Sequence, residues 1–219
     1  HQLLVETNSD ISVANLLRVY SSETPNNSNE SKKTFTLTNI EAMEQLAGEN
    51  YLLLTVACGK LIRKEIINGI YFPFGRLHED EFTTYKMLYK SKKIAVTMEE
   101  LLFYRQRPDS ITNRKKNLKQ MLDALDAFQE RAQFFLGINL ISAYNKTLNL
   151  IFNHLILIKN LAEEEGRTDV INEMSQRLRE LKPLLDLSEQ SVKHKVSHKI
   201  YYISPTIWFL LKRFYKGLK

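Results

Sequence analysis

A mixed α/β block running into a long helical region is the architecture this 219-residue chain predicts, helix-rich overall. Two observations carry that reading. Up to Ser110, β-rich stretches alternate with short segments of helical spacing. After Thr112, three long segments keep helical periodicity, broken at Gly137 and Gly166. The boundaries that follow are 1–112 for the α/β block, 113–189 for a helical extension and 190–219 for a basic amphipathic tail.

His1 to Asn8 reads as the middle of a helix. Asp10 to Tyr20 (DISVANLLRVY) is β-rich and partly alternating, so it predicts a strand. Ser21 to Lys33 is rich in Ser and Asn and nearly devoid of apolar residues, which predicts a loop. Thr38 followed by Glu41 has capping-box spacing and predicts a helix to about Ala47. Tyr51 to Ala57 suits a buried apolar segment entering Cys58-Gly59-Lys60. Leu61 to Ile67 predicts a short helix, and Asn68-Gly69 a turn. Leu77 to Lys90 predicts a helix, with Phe82, Tyr85 and Leu88 or Tyr89 at helical spacing. Lys93–Thr97 and Leu101–Arg105 predict two strands divided by a turn at Met98-Glu99. Asn113–Leu136, Leu140–Glu165 and Asp169–Leu185 predict three helices, the third disrupted near its end by Pro183. Leu148, Ile151, Phe152, Leu155 and Ile158 are expected in a bundle core. Ser204-Pro205 separates a basic segment from a last helix, Thr206 to Lys216.

Composition narrows the function classes. Charged residues make up 26% and hydrophobic ones 43%, an ordinary globular balance. A single cysteine, Cys58, permits no internal disulfide and suits a cytoplasmic setting. No apolar run reaches the roughly 18–20 residues of a membrane span. The net charge is +6, but residues 190–219 hold seven cations and no acid. Without them, 24 cations face 25 acids. The excess is confined to the tail, which argues against a general nucleic-acid surface. Trp208, Phe209, Leu210, Leu211, Phe214 and Tyr215 beside Lys212, Arg213 and Lys216 suit shallow insertion at an anionic membrane face. A terminal helix packed on the bundle fits the same residues equally well.

The chemistry concentrates in His78-Glu79-Asp80-Glu81 and in Tyr104-Arg105-Gln106-Arg107. Three carboxylates at a helix start meet unpaired backbone N–H groups and a positive dipole end. Crowding raises the pKa of one of them, which can then act as a general base. Acids are also common in first turns for the dipole alone. Arg105 and Arg107 fall on one face of an extended chain, as a diphosphate would require. Surface pairing with nearby acids is the plainer account of them.

Order adds what composition does not. Gly59-Lys60-Leu61, Phe72-Pro73-Phe74-Gly75, His78-Glu79-Asp80-Glu81-Phe82, Tyr104-Arg105-Gln106-Arg107 and Ser110-Ile111-Thr112 follow one another. This series resembles the C-terminal portion of the catalytic domain in bacterial family 2 glycosyltransferases. The match runs from about Asp10 to Thr112. The resemblance implies a GT-A-like α/β domain and inverting transfer of a sugar from a nucleotide-sugar donor to a saccharide or lipid-linked acceptor. The expected setting is capsule, exopolysaccharide or similar surface polysaccharide synthesis. Asp80 is then the expected catalytic base, with Glu79 second and Glu81 orienting the loop or binding the helix end. Arg105 and Arg107 would bind the donor diphosphate, while Lys60 and His78 line the acceptor side or site wall. Cys58 stands where family members often carry an aromatic residue.

The family's Asp-x-Asp metal motif does not occur in this chain. The expectation is therefore a fragment lacking its nucleotide-binding half, inactive alone. A divalent metal, Mg or Mn, is expected only for the complete enzyme, and no metal ligand is assigned here. The expected location is cytoplasmic, or peripheral at the inner membrane face through 190–219. The alternative reading is a non-catalytic membrane-associated or assembly module.

Overall fold

The computed structural model describes residues 1–20, 33–107 and 117–217, with side chains through residue 213. Ser110-Ile111-Thr112, most of the predicted Ser21–Lys33 loop and the side chains of Phe214, Tyr215 and Lys216 lie outside the described residues. The chain forms two compact units, His1–Ala143 and Tyr144–Lys219. The long helix after the α/β block thus belongs to the first unit.

That unit opens with α1 (Gln2–Glu6) and β1 (Ile11–Val19), followed by β2 (Thr34–Thr38) and α2 (Asn39–Glu44). Then come α3 (Tyr51–Thr55), β3 (Lys60–Ile62), α4 (Lys64–Ile67), α5 (Glu79–Lys90), β4 (Lys93–Arg105) and α6 (Leu118–Gly137). The capping box at Thr38 is present: its hydroxyl accepts from the Glu41 N–H, and Glu41 accepts from the Thr38 N–H.

The sheet has the order β2-β4-β1-β3. Its central pair, β1 and β4, is parallel; the outer pairings are antiparallel. Ile11, Val13, Ile94, Ala95 and Val96 are buried, so both faces of the sheet's N-terminal half are covered. β-Branched residues suit that doubly buried position. Beyond it, β4 alternates between exposed and half-buried residues.

Three expectations change. Lys93–Arg105 is one strand, not two. The Met98-Glu99 break is an irregularity in register: Ala14 faces Thr97, but Asn15 faces Glu100 and Leu16 faces Leu102. The Asn15 amide reaches the Met98 carbonyl at 3.4 Å, and Met98 N–H donates to Lys33 O at 2.9 Å. The extra residues thus bulge without ending the ladder. Second, the predicted Leu61–Ile67 helix divides, because Lys60–Ile62 pairs with Ile11–Val13 and only 64–67 is helical.

The third change lies in the second unit, which contains α7 (Ile141–Glu164) over most of its length, α8 (Thr168–Leu187), α9 (Val192–Ile203) and α10 (Pro205–Gly217). α8 continues through Pro183. Pro183 and Arg179 are exposed, so the carbonyl robbed of its donor can meet water. Leu178, Leu181 and Leu185 form a buried stripe that holds the last turn. Leu148, Ile151, Phe152, Leu155 and Ile158 are buried, as their spacing predicts. The basic segment after Ser191 is helical too. The Ser191 hydroxyl caps α9 by accepting from His194 N–H. Trp208 anchors α10: it is buried, and its indole N–H donates to Ser197 Oγ at 2.9 Å.

Candidate active site

Asp80 sits in the first turn of α5, flanked by Glu79 and Glu81. The three carboxylates diverge, as a 100° step between residues demands. Glu79 is exposed, Asp80 half-buried and Glu81 buried. Glu81 turns inward. Arg131 of α6 donates to it at 2.6 Å, and the Tyr51 hydroxyl donates to its other oxygen. Arg131 is 1% exposed, with its guanidinium over the Phe128 ring at 5.2 Å. Burial, reinforced by the Glu81 charge, pushes the Tyr51 phenol well above its usual range, so it remains a donor. Glu81 therefore fastens the helix start to the interior.

Asp80 keeps one oxygen on its neighbour's backbone, accepting from Glu81 N–H at 2.9 Å. Burial raises its pKa, and the charges of Glu81 and Glu79 add to the effect. A carboxylate so placed binds a proton more readily than a free one, which is the property of a base.

Lys60 enters from β3. Its position depends on Gly59, whose φ of +70° favours glycine. A Cβ there would stand 3.0 Å from the Ala14 carbonyl oxygen. Lys60 Nζ donates to Leu53 O at 2.8 Å and to Val56 O, capping the end of α3. Burial lowers its pKa to about 8, against the opposing charges of Cys58 and Asp80. Lys60 and Asp80 thus lie within electrostatic reach of one another.

The loop before α5 is held from α6. Asp123 accepts from Arg76 at 2.8 Å, from Lys119 at 2.8 Å and from Leu77 N–H at 3.1 Å. Burial works to raise the Asp123 carboxyl, but these bonds outweigh it and hold it near a pKa of about 2. Arg76 also reaches Asp126 at 2.9 Å. His78 closes the loop in the left-handed region, at φ 59°. That conformation costs energy for a residue with a side chain, and the anchored loop on one side and helix on the other enforce it. Ahead of this loop Tyr71, Phe72 and Phe74 present their rings to solvent, Phe74 completely.

Arg105 and Arg107 occupy another part of the sheet. Both are exposed, and the alternation from Leu101 onward puts them on one face. Arg105 pairs with Val19, six residues along β1 from the Val13 rung where Lys60 pairs. The separation is roughly 20 Å at about 3.3 Å per residue. Lys60 is thus near enough to feel the Asp80 charge, its ammonium held by the Leu53 and Val56 carbonyls, while the arginines lie at the far end of β4.

Tyr51, Asp123 and Arg131, which fix this geometry, escape sequence reading because their partners are 30, 46 and 50 residues away. Among the described residues, no group of three or more His, Cys, Asp or Glu side chains is placed to hold a metal ion.

No protein-family model matches the chain. It is 30% identical over 94 residues to Glycosyltransferase GlyG of Streptococcus pneumoniae serotype 4, covering 42% of this chain and 31% of that protein. The chain thus spans less than a third of the length of this curated relative. The crystal structure of S. aureus TarS 1-349 in complex with UDP-GlcNAc covers 82% of this chain and 62% of its own at 15% identity. Its TM-score is 0.39, too loose a likeness to equate the two folds. Over a stretch of 94 residues, then, this chain is similar to a glycosyltransferase.

Proposed function

We propose that the chain is the acceptor-side part of an inverting glycosyltransferase that works with a nucleotide-sugar donor and a saccharide or lipid-linked acceptor. The observation that carries this reading is the half-buried Asp80 carboxyl in the first turn of α5, its pKa raised by burial and by the charges of Glu81 and Glu79. The 94-residue similarity to a glycosyltransferase supports it. Asp80 takes the proton from the acceptor hydroxyl. The freed oxygen attacks the anomeric carbon, and the bond to the diphosphate breaks with its electron pair, inverting the centre. Glu79 is the second candidate for the base. Arg105 and Arg107 meet the donor diphosphate, which from their present position requires closure of the β4 end. Lys60 and His78 form the site wall. Tyr71, Phe72 and Phe74 offer faces on which an acceptor sugar can stack. The described residues supply no metal cluster, and no step runs through one.

The test is sugar transfer by the protein expressed from its whole reading frame, with Asp80→Asn compared with the parent. Undiminished transfer by that variant removes Asp80 as the base.

A second reading, a membrane-associated or assembly module, draws on α10. Ile207, Leu210 and Leu211 are exposed there, next to exposed Lys212 and Arg213. Among the described residues, no helix is long and apolar enough to cross a membrane, so contact would be peripheral. Flotation with anionic vesicles tests it. Equal binding by the parent and by Leu210→Glu with Leu211→Glu would eliminate α10 as the contact.

A further inference from the structure

Within the second unit, α8 and α9 line an open cavity of about 550 Å³ that the transferase reading does not use. Lys195, His198, Lys199 and Tyr202 line it from α9. Their spacing of three, four and seven residues places them on one helix face. Lys182 and Asp186 line it from α8 and pair with each other at 2.9 Å. The Tyr202 hydroxyl donates to Leu178 O at 2.7 Å, which fixes its ring beside Lys182.

Two features of this cavity lack an internal explanation. Lys195 and Lys199 are exposed one turn apart and have no carboxylate partner among the described residues. Like charges at that spacing repel, so the pair costs stability unless something answers it. His198, meanwhile, is only 5% exposed. Its ring contacts Phe152 at 4.4 Å and stacks on His194 at 6.4 Å. No hydrogen bond to its nitrogens is present among the described residues, and neither nitrogen is among the fully buried unpartnered atoms, so the ring opens to the pocket that it lines.

We infer that this cavity binds a phosphoryl group, with the Lys195 and Lys199 ammonium groups on its oxygens and one N–H donated by His198. Three ammonium groups against one carboxylate leave the cavity a charge suited to a dianion. The Tyr202 ring and the neighbouring Leu185 give an organic substituent an apolar wall. The same phosphoryl chemistry occurs in a free phosphate or diphosphate and in a phospholipid headgroup. The inference stands independently of the transferase reading, because no residue is shared with the Asp80 site.

The charges around His198 make it a reporter. Burial lowers its pKa to about 4; His194 and Lys212 act in the same direction and Asp186 opposes them. Lys182, Lys195, Lys199 and Tyr202 line the same pocket. A bound anion stabilises the imidazolium and raises that midpoint.

The experiment follows the His198 ring by NMR in the whole chain, with its resonance assigned by loss in His198→Gln. Inorganic pyrophosphate is one probe. Phosphatidylcholine vesicles containing phosphatidylglycerol are the other, and sodium chloride at matched ionic strength is the reference. Pyrophosphate is expected to shift the His198 resonance at pH 7 and to raise its midpoint by about one unit. Lys195→Gln with Lys199→Gln, both exposed, should weaken binding at least about tenfold without unfolding the chain. Vesicle sedimentation that this double variant abolishes, with no response to pyrophosphate, identifies the headgroup as the source of the phosphoryl group. The inference is overturned if neither probe moves His198, or if the double variant binds as the parent does.

Discussion

Arg131 Nη1 lies 2.6 Å from Glu81 Oε2, with both side chains buried, and this pair ties the middle of α6 to the first turn of α5. The Arg131 Nε and Nη2 atoms are buried with no hydrogen-bond partner among the described residues. The guanidinium is thus desolvated for one strong contact and the ring of Phe128. Breaking such a pair from one side leaves an uncompensated charge. Arg131→Met should therefore cost about 3–5 kcal/mol in urea unfolding. Glu81→Gln with Arg131→Met should lose much less than the two single losses combined. Tyr51→Phe, which strips one donor from Glu81, should cost about 1–3 kcal/mol. Additive losses in the double variant would show that the two residues are not energetically coupled.

Asp80 should trade stability for activity. Its carboxyl is raised above 3.8 in the folded chain, so the folded state binds a proton more tightly than the unfolded state. Stability is then lost as pH rises through that window, and the loss persists at neutral pH. Asp80→Asn removes it. That variant should melt higher than the parent at pH 7 and no higher below pH 3.8. Sugar transfer by the whole protein should fall about 10²–10⁴-fold, as expected for loss of a general base. A lower melting temperature at pH 7 would contradict the assignment.

Asp123 shows the opposite sign. Its folded pKa of about 2 is below the ordinary aspartate value of 3.8. Its stabilising contribution is complete above 3.8 and disappears as pH falls towards 2. Asp123→Asn should cost on the order of 1 kcal/mol at pH 7 and progressively less on acidification. Acid titrations of parent and variant should converge near pH 2. The same change releases Arg76 and Leu77, so faster amide exchange is expected at residues 75–78.

Gly59→Ala should destabilise the first unit by about 1–3 kcal/mol, through positive φ and the approach to the Ala14 carbonyl. The effect should be local. Protection should fall at Ala14, which donates to Gly59 O, and at the β1–β3 rungs. Unchanged stability in thermal unfolding would mean that the strand can withdraw without cost.

Residues whose partners are close in sequence were legible from it. Thr38 and Glu41 cap a helix from three residues apart, and Phe82, Tyr85 and Leu88 bury one face of α5. Leu148 to Ile158 likewise follow the helical period into a core. Tertiary partners decided the rest. Lys60–Ile62 became a strand because Ile11–Val13 was there to pair with it. Met98-Glu99 bulged because Asn15 and Lys33 hold the backbone on either side of it. Pro183 was absorbed because its helix face meets water. Within the candidate site, the acidic helix start was legible as a charge cluster with an anomalous local density of carboxylates. Which carboxylate turns inward was not, since Arg131 and Tyr51 settle it from distant segments.

The parallel pairing of β1 with β4 sets the order in which the chain can assemble. Ile11 pairs with Ile94, and everything that carries Lys60 and Asp80 lies in the loop between them. Closing a loop that long must be driven by the contacts it completes, which makes such pairings late events. During synthesis, β1 emerges and waits for most of the first unit before its central partner exists. Chains ending at Lys90 should therefore leave Ile11–Val19 without slow amide exchange, whereas chains ending at Gly137 should protect it.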